Sequence, residues 1–297
     1  MKRFCALSFV FIVALFALAM FSSTGMNSPA YGQGMENMQW FAPPAEGEER
    51  EDFFAAASIP KYSLRPVRVL LITGGHGFQE EPFFAMFDAM EGIVIEKAEM
   101  PAARDLLKPG LQEKYDCVVT YGMCPGQPSE EQAEDFIALL EEGIGFVSLH
   151  HNIGAHRDWD EYPQIIGGKF MFEDGEYEGV EFEKTPWAHG QDIDVKVADT
   201  EHPITQDIED FTIHDETYGK CYVKPGVHVL LTTDHSKNNH EVAWTLTYGE
   251  SAVCYIMLGH DSAAYANPAY PQLVRNAIFW AAIEGEHEEF VTANPDE

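Results

Sequence analysis

The sequence predicts an α/β protein built on a mostly parallel sheet. Three observations predict it. Short apolar runs around Leu70, Val94, Val118 and Val147 have the composition of strands buried in a sheet. Segments with apolar residues at helical spacing lie between them. Three of the runs stop abruptly in turns rich in Gly or His: Gly74-Gly75-His76, Gly122 to Gly126, and His150-His151. Strand, turn and helix in alternation is what right-handed crossovers of a parallel sheet produce.

In chain order, Val67 to Thr73 is the first buried strand and Glu80 to Met90 the first helix, opened by acidic residues and Pro82. Ile93-Val94-Ile95 is a short second strand, and Asp116 to Tyr121 a third. Ser129 to Glu142 is an amphipathic helix, with Ser129 and Gln132 placed as N-cap and capping-box partner. Gly145 to Leu149 is the fourth strand, followed by a polar turn and a helix over Asp158 to Ile166 that Gly167-Gly168 ends. From Gly190 the texture changes. Asp192 to Val197 alternates strictly and should be half exposed. Phe211 to Glu216, Val227 to Thr232, Glu241 to Leu246 and Ser251 to Leu258 read as later strands, some antiparallel, and Pro268 to Ile283 as a closing helix.

Four regions result: 1–32, 33–66, 67–284 and 285–297. The first reads as an export signal: Lys2 and Arg3 precede the apolar run Phe4 to Phe21, and Ala30-Tyr31-Gly32 offers a cleavage site. Without cleavage the same run would serve as an anchor; with it, no membrane association is expected. The second is a linker or loosely attached arm, and the last an acidic tail. The chain has 297 residues and a net charge of −31. A chain that acidic repels phosphates, so nucleic acid is excluded as a partner and neutral molecules or cations are favoured. Beyond the signal stand Cys117, Cys124, Cys221 and Cys254, with no CxxC pair. Cys117 and Cys254 sit in apolar strands; a pairing of Cys124 with Cys221 stays open.

Several stretches together resemble the trehalose-utilisation (ThuA-like) family of the class I glutamine-amidotransferase-like superfamily. They are Gly74-Gly75-His76, Leu149-His150, Tyr162-Pro163 through Phe170, His202-Pro203-Ile204-Thr205, Asp215-Glu216-Thr217-Tyr218, Trp244, Leu258-Gly259-His260 and Asn276 to Ala281. The match spans about Val67 to Ile283. The resemblance implies a flavodoxin-like sheet with helices on both faces. It also implies that the chain is not a glutaminase, since those relatives need a cysteine nucleophile after a strand and the matching turn reads Leu149-His150-His151-Asn152.

The candidate site gathers His76, His150, His151, Asp215, Glu216 and His260, each at or just past a predicted strand end. Imidazoles with a carboxylate suit a divalent metal, zinc first, which takes three protein ligands and a water. His150, Glu216 and His260 are assigned as ligands. His76, His150 and Glu216 are assigned to catalysis, because imidazole titrates near neutral pH and a buried carboxylate is tunable. Asp215 is assigned to orienting a neighbour or capping backbone. Read singly, His151, His156, His189, His202 and His214 are explained by structural hydrogen bonds. In the context of its turn, His151 is assigned with Trp159 and Tyr218 to contact with substrate. No nucleotide cofactor is expected. Through the family, the expected substrate is a carbohydrate: a keto-sugar or 3-keto-glycoside, isomerised or cleaved by elimination. A non-catalytic sugar-binding module and a structural or partner-binding remnant of the fold are the competing expectations.

Overall fold

The computed structural model describes residues 65–124 and 126–284. The predicted signal (1–32), nearly all of the predicted arm and the tail (285–297) lie outside the described residues. In chain order the elements are β1 (Val67–Gly74), α1 (Glu80–Asp88), β2 (Ile93–Glu99), β3 (Cys117–Gly122), α2 (Glu130–Glu141), β4 (Gly145–Leu149), α3 (Glu161–Ile166), β5 (Gly168–Lys169), β6 (Gly175–Tyr177), β7 (Val180–Phe182), β8 (Trp187–Val197), β9 (Phe211–Tyr218), β10 (Tyr222–Val223), β11 (His228–Thr233), β12 (Glu241–Tyr248), β13 (Ser251–Ile256), α4 (Ser262–Tyr265) and α5 (Ala269–Glu284). Among the described residues no helix is long and apolar enough to cross a membrane.

Nine strands form one sheet in the order β2-β1-β3-β4-β13-β12-β11-β8-β9. The first five are parallel, and β12, β11, β8 and β9 extend the sheet antiparallel. A 2-1-3-4 order completed by one later parallel strand is the doubly wound, flavodoxin-like arrangement. The central strands β3, β4 and β13 are buried at every position, which is why they read as unbroken apolar runs. Strand β2 is longer than its three apolar residues suggest. It is an edge strand, and Glu96, Lys97 and Glu99 lie on its exposed positions.

Helices cover both faces. Successive side chains of a strand point to opposite faces. At Gly145 a side chain would sit 2.6 Å from the Ala281 backbone, so glycine lets α5 lie directly on β4. On the other face Phe146 meets Phe136 of α2, ring centroids 5.5 Å apart. Helix α2 begins where the capping box places it: Ser129 Oγ accepts from Gln132 N, and Gln132 Oε1 accepts from Ser129 N. Helix α3 starts three residues later than the sequence suggests, since Arg157–Asp160 forms turns instead. Gly167 closes it in the left-handed region (φ +73°). The Trp244 indole N–H donates to the Ile166 carbonyl at 2.9 Å, tying α3 to β12. No disulfide joins Cys117, Cys124, Cys221 and Cys254, and all four are buried.

Asp116, just before β3, fastens the start of β1. Its carboxylate accepts from Arg68 N at 2.7 Å and from the guanidiniums of Arg65 and Arg68. Burial alone would raise its pKa, but these donors outweigh it and hold the group at about 2. The unfolded chain holds this proton more tightly than the folded one. The stabilisation is therefore full above the ordinary value of 3.8 and fades as pH falls toward 2. Urea midpoints of wild type and Asp116→Asn should differ clearly at pH 7 and draw together below pH 4.

Candidate active site

The site lies where β1, β4 and β13 end, closed from the side by the β8–β9 ribbon. Strand β4 ends at Leu149, and His150 turns the chain with φ +44°. A non-glycine residue there is strained and must be held by its surroundings. Tyr255 Oη donates to the His150 carbonyl at 2.8 Å. Asn152, within the following 3-10 turn His150–Gly154, anchors the rest. Its Oδ1 accepts from the hydroxyls of Thr120, Ser148 and Tyr162, and its Nδ2 donates to the Gly122 carbonyl.

Far along the chain, β9 supplies Asp215, Glu216 and Tyr218. The ribbon reaches the strand ends because β8 carries one extra residue: Ala188 pairs with Thr217 and Gln191 with Asp215, so His189 and Gly190 together face Glu216. Such a bulge bends a strand and re-aims its side chains. The left-handed Gly190 (φ +62°) accommodates it.

His150 is fully buried. Its Nδ1 lies 2.6 Å from the Met257 carbonyl, which can only accept, so Nδ1 carries a proton. In the neutral ring Nε2 then offers a lone pair. Tyr218 Oη lies 3.0 Å from that Nε2 and Glu216 Oε2 3.2 Å from it. A lone pair facing a carboxylate needs a proton or a cation between them. The other oxygen of Glu216 is 3.0 Å from His189 Nδ1, and His260 Nε2 stands 3.8 Å from Oε2. His151 is wedged among His76 (ring centroids 4.2 Å), His150 (4.3 Å) and His260 (5.3 Å). Both its ring nitrogens are buried without a hydrogen-bond partner. Asp215 accepts from the backbone N–H groups of Gly259, His260 and Glu216 at 2.7 to 2.9 Å, which fixes the His260 loop.

The surroundings set charge states. Burial pushes the His151 pKa far down, with His150 and His76 adding to the effect. Burial, then His150, lowers that of His260. For Glu216 burial acts upward, but the hydrogen bond and charge of His150 and the Tyr218 hydroxyl outweigh it, and the pKa falls. Burial pushes Tyr218 up, with Glu216 contributing, so the phenol keeps its proton. At neutral pH the cluster is an ionised carboxylate beside neutral imidazoles at His151 and His260, the state in which such groups bind metal. One donor atom from each of His150, His151, Glu216 and His260 lies within 4.8 Å of the others. Ligand atoms of a tetrahedral zinc stand about 3.3 Å apart, close to the His150–Glu216 separation.

Of the residues assigned from sequence, His76, His150, His151, Glu216, Tyr218 and His260 come together. His76 is exposed at the rim, its Nδ1 2.7 Å from the Gly77 carbonyl. His151 belongs inside the cluster rather than at a substrate surface. Trp159 does not reach the site and its assignment to substrate is corrected: its ring packs on Phe136, His156 and Tyr162. His156, His202 and His214 stand outside the cluster, whereas His189, read as structural, lies within it, its ring 4.5 Å from that of His260. The available signal was Gly190, since a lone glycine inside an alternating strand marks a bulge.

The family model described as trehalose utilisation (ThuA) matches residues 68–281. No curated protein matches the sequence. Among solved structures, the fold is similar to a ThuA-like protein from Parabacteroides merdae (TM-score 0.61, 17% identity, covering 73% of this chain and 90% of that one). It is also similar to a ThuA-like protein from Bacteroides uniformis (TM-score 0.54, 18% identity, 74% and 93%), and to the cytoplasmic protein STM3548 from Salmonella typhimurium (TM-score 0.53, 13% identity, 72% and 99%).

Proposed function

Because the chain belongs to the trehalose-utilisation (ThuA) family, we propose that its histidine cluster is a divalent-metal site acting on carbohydrate, with zinc the best-suited ion. The substrate class is a keto-sugar or 3-keto-glycoside, and the reaction isomerisation or elimination. The observation that carries this reading is the buried His151 ring, both nitrogens without a partner, inside a set of four converging donors. A buried polar group left unpaired costs about 1–3 kcal/mol, and a cation at this point would remove that cost. His150, His151, Glu216 and His260 would hold it.

A bound zinc would polarise the ketone oxygen and stabilise charge developing there. The chain's own groups do the rest. His150 presents Nε2 because Met257 fixes its tautomer. Asp215 keeps His260 in place through the loop backbone. His76 and His189, the exposed imidazoles at the rim, exchange protons between sugar and water. In the elimination a rim imidazole removes the proton on the carbon between ketone and anomeric centre. The electron pair becomes the enolate, then expels the glycosidic oxygen, which leaves with a proton. Isomerisation uses the same enolate and returns the proton to a neighbouring atom. Thiol chemistry of the glutaminase type has no place in this scheme: the residue at the turn after β4 is His150, and Cys124 is buried on another turn. The apolar segment Phe4 to Phe21 supports export as part of the same proposal.

The test is elemental analysis of the purified chain together with an assay on 3-keto-trehalose. About one zinc per chain is expected, with turnover abolished by chelation, restored by zinc, and absent in His150→Ala. Sugar binding without product would make the chain a binding module. Equal turnover in wild type and His150→Ala would remove the mechanism.

A further inference from the structure

We propose that the bulged end of β8 carries a carbohydrate subsite, with the Trp187 indole as the platform on which a sugar ring stacks. This rests on the carbohydrate reading of the neighbouring cluster and adds a residue that sets its substrate binding. Of the four described tryptophans Trp187 alone is exposed, at 55%; Trp244 is fully buried, and Trp159 and Trp280 are half-buried. Its exposure is not slack at a chain end. Trp187 pairs with Tyr218 across the ribbon, and Gly219 N donates to the Pro186 carbonyl at 2.9 Å. The backbone that carries the indole is thus paired to the strand that carries Glu216.

The bulge accounts for its direction. Beyond it, Ile193 and Val195 point into the core while Asp192 and Asp194 face water. One extra residue reverses that phase, so Ala188 turns inward and Trp187 outward. From the indole a line of rings leads to the cluster: His189 edge-on at 4.9 Å, then His260 at 4.5 Å, then His151 at 5.3 Å. The indole thus stands two ring spacings from His260, and His189, between them, lies 3.0 Å from Glu216, so a sugar held against the indole borders the cluster.

That arrangement fits a pyranose. Its C–H face covers an aromatic ring, and its hydroxyls find a carboxylate and imidazoles at the edge. The acidic chain, at −31, disfavours anionic ligands. A cation would also use an exposed indole, so choline serves as the contrasting probe.

The experiment titrates trehalose and methyl α-glucoside into the zinc-loaded full chain by calorimetry, for wild type, Trp187→Ala and Trp187→Phe. Trp187→Ala is expected to bind at least ~10-fold more weakly with unchanged zinc content, and Trp187→Phe within ~3-fold of wild type. Wild-type affinity in Trp187→Ala would overturn the platform and leave the carbohydrate reading intact. Loss of zinc in Trp187→Ala would also overturn it, making the ring a support for the cluster. A wild type that binds choline but neither sugar, or none of the three, would overturn the subsite, while the carbohydrate reading is decided separately by turnover of 3-keto-trehalose.

Discussion

Glu216→Gln is expected to weaken zinc binding by at least ~100-fold while the chain stays folded. The amide matches the carboxylate in shape, so packing around β9 is preserved. What it loses is the charge between His150 Nε2 and His189 Nδ1, at 3.2 and 3.0 Å. It also turns an N–H toward one of the two imidazoles, where a lone pair or a cation should stand. His189→Ala is the graded comparison. His189 reaches Glu216 from the exposed side and is not among the four converging donors. Removing such an outer partner typically costs 10–100-fold in metal affinity, so Glu216→Gln should exceed it. Competition with a chromogenic chelator measures both, and turnover of 3-keto-trehalose should fall in the same order. A Glu216→Gln chain with wild-type affinity would show that the carboxylate serves the hydrogen-bond network only.

The reach of the sequence follows from the physics of each element. Central strands were legible because β3, β4 and β13 are buried at every position and carry unbroken apolar residues. Edge strand β2 was legible only in its apolar start, because water covers the rest. The candidate ligands His150, Glu216 and His260 could be named, since each ends a recognisable run. Their meeting could not be derived, because it depends on a one-residue bulge in β8 that swings the ribbon over the strand ends. That bulge also hid His189. Trp159 misled for the opposite reason: an aromatic following a histidine turn has the same local pattern whether it lines a crevice or packs on Phe136 and Tyr162. Nothing in the sequence distinguishes it from Trp187, whose exposure is set by strand phase.

Asp215→Ala should be the most destabilising single change at the site, costing at least ~3 kcal/mol. Its carboxylate accepts the N–H groups of Gly259, His260 and Glu216, at 2.7, 2.9 and 2.8 Å. Alanine leaves two buried donors and the half-buried N–H of His260 unpaired, at up to about 1–3 kcal/mol each before relaxation. Relaxation is restricted. Gly259 holds φ +109°, and a side chain there would come within 2.0 Å of Tyr270 Oη. On the other side of the loop, Tyr121 Oη donates to the Gly259 carbonyl and Tyr265 Oη to that of His260. The segment is gripped by its amides through Asp215 and by its carbonyls through two tyrosines, so losing one grip strains the other. Asp215→Asn should fall between wild type and alanine. Its single carbonyl oxygen can still serve His260 and Glu216, while its NH2 faces the N–H of Gly259. Because the same loop delivers His260 to the cluster, zinc affinity should fall in parallel with the urea midpoint: wild type, then asparagine, then alanine. An alanine variant that unfolds at the wild-type urea concentration would show that the loop keeps its shape without the carboxylate. A stable variant that had nevertheless lost zinc would place Asp215 among the metal-supporting groups and not among the structural ones.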